Sequence, residues 1–173
     1  KSVEQLKAIK EKYKDKKLMA NDTETTGLTY YQDEIVGISF SFNAYDGFYI
    51  PLRHQVGENA PIECLQYFYD EFMCYYTNLF YNALFDLHMY RNEGFDDKKI
   101  RFFDARSLVF NADNGAPIQN LKWAANHYLG RNPQTFQEVI GTKINFSAVT
   151  PEEGAPYAGA DAVNTYGLYL RLA

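Results

Sequence analysis

Asp22 and Glu24 stand two residues apart in the stretch NDTETTGL. On a strand, that spacing sends both side chains to one face. Two carboxylates placed so repel each other unless one takes a proton or a cation lies between them. Asp86 falls in the first turn of a helix opened by Asn82, in NALFD, and Tyr157 and Asp161 stand four apart in YAGAD, on one helix face. Each feature has a plain structural reading: an exposed strand end, an acid at the positive end of a helix, a surface pair. Taken together, four carboxylates with no histidine or cysteine among them make a hard oxygen site, suited to Mg2+ or Mn2+ rather than zinc. Two such ions roughly 3.5–4 Å apart can clamp the attacking and leaving oxygens of an in-line phosphoryl displacement. They also reverse the local charge, so that a phosphate can approach.

The elements that must position these residues are legible from periodicity. SVEQLKAIKEKYKD carries Val3, Leu6 and Ile9 at helical spacing. KLMAND follows as a first strand. EIVGISFSFN puts Val36, Ile38, Phe40 and Phe42 on one side and Ser39 and Ser41 on the other, which predicts a half-buried strand. DGFYIPLRH is a third strand, with Pro51 marking an edge, and short connections make the three a meander. PIECLQYFYDEFMCYY opens with a proline suited to a first helical turn. NLFYN is a strand, and Asn82 is placed to cap the helix that Gly94 ends. IRFFD is a further strand, followed by helices over NLKWAANHYLG, TFQEVIG and EEGAPYAGADAVNTYGLYLRL. This order predicts an α/β fold, a mixed β-sheet flanked by helices. The sequence stops within the last helix without a capping signal, which reads as a domain cut from a longer chain.

The 173 residues suffice for one domain with a sizeable core, and 46% hydrophobic with 23% charged residues is ordinary for a globular protein. The net charge of −5 is uneven: seven lysines and three acids in the first 17 residues leave ten bases and 19 acids in the rest. Such a body argues against wrapping a long duplex and suits cations or a grip on a few nucleotides. No apolar run is long enough for a membrane span. The two cysteines, Cys64 and Cys74, form no CxxC pair and read as thiols of a reducing compartment.

DTETTGL, NALFD and YAGAD resemble, in this order, the three exonuclease motifs of the DEDD superfamily. A tyrosine four before the last aspartate is the mark of its tyrosine subclass; the histidine subclass carries a histidine five before, where this chain has Pro156. GFYIPLRH, YNALFDLHMYRNEG and TFQEVIG are similar to segments of the proofreading domain of bacterial DNA polymerase I and other family A polymerases, so that the likeness runs from about Leu18 to the end. The resemblance implies a ribonuclease H-like fold and a single exonuclease domain over residues 1–173. It implies that Asp22, Glu24 and Asp161 hold a first divalent ion, that Asp22 bridges to a second, and that Asp86 supports the second through water. Tyr157 orients the attacking water; a phenol with a pKa of about 10 is a poor base. Leu28 is expected to wedge against the terminal base; Phe136 either stacks on the strand end, reading base faces without sequence preference, or is a core aromatic of its short helix. Asn82 contacts the strand or only caps its helix, and Arg53, His54 and Arg106 could touch phosphates, though nothing in their spacing requires it. Two departures stand out: LFY before Asn82 is bulky, and AGA between Tyr157 and Asp161 places a glycine in a helix at a cost of about 1 kcal/mol. The expected activity is release of nucleoside monophosphates from a single-stranded DNA 3′ end, editing for a polymerase module in the same full-length chain, in a non-secreted, reducing compartment. A ribonuclease D-like exoribonuclease and an inert DNA-binding domain of the same fold stay open as alternatives.

Overall fold

In the computed structural model, which describes residues 2–116 and 119–173, five strands form one mixed sheet in the order β3-β2-β1-β4-β5. Strands β1 (Leu18–Thr25), β2 (Ile35–Ser41) and β3 (Gly47–Pro51) make the antiparallel meander, with β3 and its proline at the edge. Strands β4 (Thr77–Phe80) and β5 (Phe102–Asp104) add in parallel on the other side of β1. Lys1 of the lysine-rich start lies outside the described residues.

One face of the sheet carries a large aromatic core. Helix α1 (Val3–Tyr13), helix α2 (Glu63–Phe68) with its π-helical continuation Tyr69–Met73, and helix α3 (Ala83–Asn92) bury Phe40, Phe42, Phe68, Phe72, Phe80 and Tyr90 there. Each such ring removes enough apolar surface from water to stabilise the fold by about 1.5–3 kcal/mol. Pro61 sits just ahead of α2 rather than in its first turn; its carbonyl accepts from the Cys64 amide at 2.9 Å. The opposite face is covered by α7 (Pro151–Leu172), which packs through Ala158, Ala162 and Leu168. Helices α4 (Arg106–Ala112), α5 (Leu121–Leu129) and α6 (Phe136–Ile140) complete that side. The sequence pattern had not marked α4.

Strand β2 is buried along its whole length, not on one face as its alternation predicts. The reason is α7, which turns an outer face into an inner one. The alternation also breaks once. Register runs from Glu24↔Gly37 to Thr25↔Ile35, so Val36 is the extra residue of a bulge. Ile35 thereby joins Ile38 and Phe40 in the aromatic core, and Val36 turns to the α7 side, with Phe146, Val149 and Tyr157.

Two glycines of the meander stand where a side chain would not fit. A Cβ at Gly47 would lie 2.7 Å from the carbonyl oxygen of Gly159, the glycine of AGA; its helix-propensity cost accompanies tight seating of β3 on α7. A Cβ at Gly37 would lie 2.0 Å from the Tyr49 hydroxyl, which crosses β2 at the register partner of Glu24.

Candidate active site

On β1, Ala20 packs with Ala162 and Tyr166 of α7, and Met19 packs in the aromatic core. By alternation Asp22 and Glu24 follow Ala20 toward α7, and Asn21 and Thr23 follow Met19 toward α3. On α7, Asp161 lies one turn beyond Tyr157. Carboxylate oxygens of Asp22, Glu24 and Asp161 all fall within 4.8 Å of one another. They line a cleft of about 660 Å³ at the carboxyl ends of β1 and β4, walled by Thr25–Leu28, Tyr81, Asn82, Phe136 and Tyr157. Open α/β sheets characteristically bind ligands at this edge.

Asp86 reaches the same cleft from the other side of β1. Its Oδ1 accepts from the Thr23 amide at 3.0 Å and from the Thr23 hydroxyl at 2.6 Å, and the residue is 2% exposed. It stands outside the cluster of three, and of the charges acting on Asp22 its own is the largest.

The electrostatics follow from burial and crowding. Desolvation, and then the charges of Asp86, Glu24 and Asp161, push the Asp22 carboxyl well above the ordinary carboxylate range. Glu24 is pushed up in the same way, by burial and by Asp161. Asp161 is raised by burial and held back by Lys122. Asp86 is raised by burial to about 7 against the two Thr23 hydrogen bonds. Burial and the neighbouring carboxylates raise the Tyr157 phenol, so it keeps its proton at any working pH. Glu24 Oε1 is buried without a hydrogen-bond partner. A buried carboxylate oxygen left so costs free energy that a cation recovers. With its all-carboxylate donors and this orphaned oxygen, the cluster fits a hard divalent ion held by Asp22, Glu24 and Asp161.

Beneath Glu24 lies a second layer. His54 is buried, and its Nδ1 lies 2.6 Å from the Val149 carbonyl oxygen. A carbonyl only accepts, so Nδ1 carries the proton and Nε2 accepts from the Tyr49 hydroxyl at 2.6 Å. Arg53 forms a two-pronged ion pair with Glu93 (2.7 and 2.8 Å) and donates to the Ile35 carbonyl. Of the three side chains that could touch phosphates, Arg53 and His54 are thus engaged within the fold. Arg106 is exposed at the start of α4.

Asn82 corrects an expectation. It stands at the N-cap of α3 in the left-handed region (φ 73°, ψ 58°), but its side chain makes no capping bond. Asp104, at the end of β5, caps instead: its two carboxylate oxygens accept from the amides of Asn82 (3.0 Å) and Ala83 (2.9 Å). Asparagine tolerates this backbone conformation, and its side chain is left facing the cleft. Leu28, 83% exposed, and Phe136, 49% exposed, also line the cleft; the Phe136 ring centroid lies 6.4 Å from that of Tyr157. A purely internal role for Phe136 does not fit that exposure.

Two residues of the site carried no sequence signal. Asp104 reads as the end of a strand. Lys122, in the first turn of α5, contacts the Asp161 carboxylate, and its ammonium sits 4.2 Å from the centroid of the Tyr157 ring. No local pattern links it to residues more than 30 positions away. This single ammonium pairs with one of the four carboxyls; among the described residues no other cation is bonded to them.

Comparison with known proteins sets this geometry in a family. A family model described as 3′-5′ exonuclease matches residues 1–173. The chain is 28% identical over 163 residues to DNA polymerase I of Borreliella burgdorferi, covering 92% of this chain and 17% of that protein. It is 30% identical over 162 residues to DNA polymerase I of Chloroflexus aurantiacus, covering 88% of this chain and 17% of that protein. It thus spans under a fifth of the length of these curated relatives. Among solved structures, Brucella melitensis NrnC with bound Mg2+ superposes with a TM-score of 0.67 at 18% identity, over 91% of this chain and 72% of that one. This likeness establishes the ribonuclease H-like sheet and its helices. No helix among the described residues is long and apolar enough to cross a membrane. With the match over its full length and the shared polymerase I sequence, the chain belongs to the 3′–5′ exonuclease family of the DNA polymerase I type.

Proposed function

We propose that this domain hydrolyses the 3′-terminal phosphodiester of single-stranded or frayed DNA, releasing nucleoside 5′-monophosphates, and that it edits for a polymerase module in the same full-length chain. The observation that carries the reading is the meeting of Asp22, Glu24 and Asp161 within 4.8 Å, in a cleft where a carboxylate oxygen of Glu24 is buried without a partner. Groups so placed are costly in a merely structural protein and useful in one that binds divalent ions.

Asp22, Glu24 and Asp161 would hold a Mg2+ or Mn2+ ion, and Asp22 with Asp86 would support a second. When bound, such a pair supplies Lewis-acid activation of water and charge neutralisation at the leaving oxygen. The protein's own groups do the rest. Tyr157, buried and protonated, offers its hydroxyl as a hydrogen-bond partner that orients the attacking water and takes no proton from it. Thr23 fixes one oxygen of Asp86 and so aims the other. Leu28 and Phe136, apolar and exposed at the cleft mouth, offer a wedge and a platform for the terminal bases, and Asn82 offers an amide to the strand. Base-face contacts of this kind carry no sequence preference.

The test is hydrolysis of a 3′-labelled single-stranded DNA with Mg2+, beside a matched RNA. Stepwise shortening from the 3′ end, lost on chelation, is expected, with DNA the better substrate. Full activity in Asp22→Ala would sink the mechanism. Equal or faster trimming of RNA would overturn the assigned substrate and leave the site chemistry intact.

A further inference from the structure

The ammonium of Lys122 has two partners, both on one face of α7: the Asp161 carboxylate and the Tyr157 ring. Its side chain is 24% exposed, so most of it lies within the protein beside the acids. No other ion pair to Asp22, Glu24, Asp86 or Asp161 occurs among the described residues. We propose that Lys122 is a positioning residue that occupies Asp161 as a placeholder cation and must yield that carboxylate to the divalent ion. This inference rests on the metal-dependent reading above.

The argument is one of charge and geometry. Asp161 supplies one of three ligand atoms gathered within 4.8 Å, and Lys122 is bonded to that same carboxylate. An ammonium and a divalent cation drawn to one carboxylate compete twice, for its lone pairs and through mutual repulsion across a few ångströms of partly desolvated space. In the absence of an ion, the lysine gives Asp161 a charged partner and holds it in place. The Tyr157 ring gives the ammonium a second seat at 4.2 Å, so that yielding Asp161 need not expel it into water. It thereby stays beside the hydroxyl that orients the water. Lysine suits this task better than arginine: it is a compact point charge on a flexible stem, able to change partners.

A structural role and a placeholder role predict opposite signs. Were Lys122 only a strut for Asp161, its removal would loosen the site and weaken ion binding. As a competitor, its removal tightens it. Isothermal titration of Mn2+, and separately Mg2+, into the parent protein, Lys122→Met and Lys122→Arg measures this directly. Lys122→Met keeps the apolar stem and is expected to bind Mn2+ roughly five- to tenfold more tightly than the parent; Lys122→Arg, which keeps the charge, is expected within about twofold of it. Melting curves without metal establish that each variant is folded, and Lys122→Gln replaces Lys122→Met if the latter is not. An unchanged or weakened affinity in the folded neutral variant overturns the inference while the metal site itself stands. Equal tightening by Lys122→Arg overturns it as well, because charge would not be the cause. A parent that binds neither ion overturns the metal-dependent reading and this inference with it.

Discussion

The two faces of β1 treat buried polarity in opposite ways. Toward α3, Asn21 donates to Asn78 at 3.2 Å and accepts from the Tyr90 hydroxyl at 2.9 Å, and Asn78 donates in turn to the carbonyls of Met73 and Tyr76. Thr23 is likewise bonded, to Asp86. Toward α7, one residue along, Asp22 and Glu24 meet Asp161 with an orphaned oxygen and raised proton affinities. The first face shows what a strand does with polar groups that serve the fold: every partner is supplied by the chain. The second shows groups whose partners the chain withholds, at a cost in stability. The bonded face stabilises the same strand that the acidic face strains.

The largest break in this contrast is expected from Asp22→Asn. It should lower exonuclease activity by at least about a hundredfold and at the same time raise the melting temperature of the metal-free protein, since it removes a charge from a crowded site. Activity and melting curves read the two effects; a fall in both would assign Asp22 to the fold and not to the chemistry.

The next effect is of pH. A carboxyl whose folded pKa lies above its unfolded value of about 4 favours the native state when protonated. Its contribution is complete below about pH 4 and is lost as pH rises through the folded value, about 7 for Asp86. Without divalent ions the melting temperature should therefore fall between pH 5 and pH 8, by an amount worth up to a few kcal/mol. Mg2+ should restore more stability at pH 8 than at pH 5. An equal gain at both would show that the ion does not act through these carboxyls.

Tyr90→Phe breaks the bonded face instead. It leaves Asn21 Oδ1 short of a donor in a buried site and should cost about 1–3 kcal/mol, read by urea denaturation, with divalent-ion affinity near that of the parent.

The smallest expected effects separate the helix cap from the cleft. Asp104→Ala should cost about 1–2 kcal/mol by leaving two amides of α3 uncapped. Asn82→Gly keeps the left-handed backbone and should leave stability within about 0.5 kcal/mol, yet raise the KM for DNA. If Asn82→Gly destabilised the protein as much as Asp104→Ala, the asparagine would belong to the cap after all.

What the sequence alone determined is what lies within a few residues of itself. Alternation put Asp22 and Glu24 on one face, and the four-residue step put Tyr157 and Asp161 on another. Gly94 and Gly130, both at positive φ, ended their helices as their type requires. Periodicity and backbone sterics are local, so these features are written in the chain itself. The tertiary structure decided whatever depends on which distant segments meet: α7 burying the second face of β2, the bulge that turns Val36 away from Ile38, Asp104 taking the cap from Asn82, and Lys122 arriving at Asp161 from a separate helix. No residue type or spacing encodes such a meeting, because its geometry is set by how the packed elements close around the sheet and not by the neighbours along the chain.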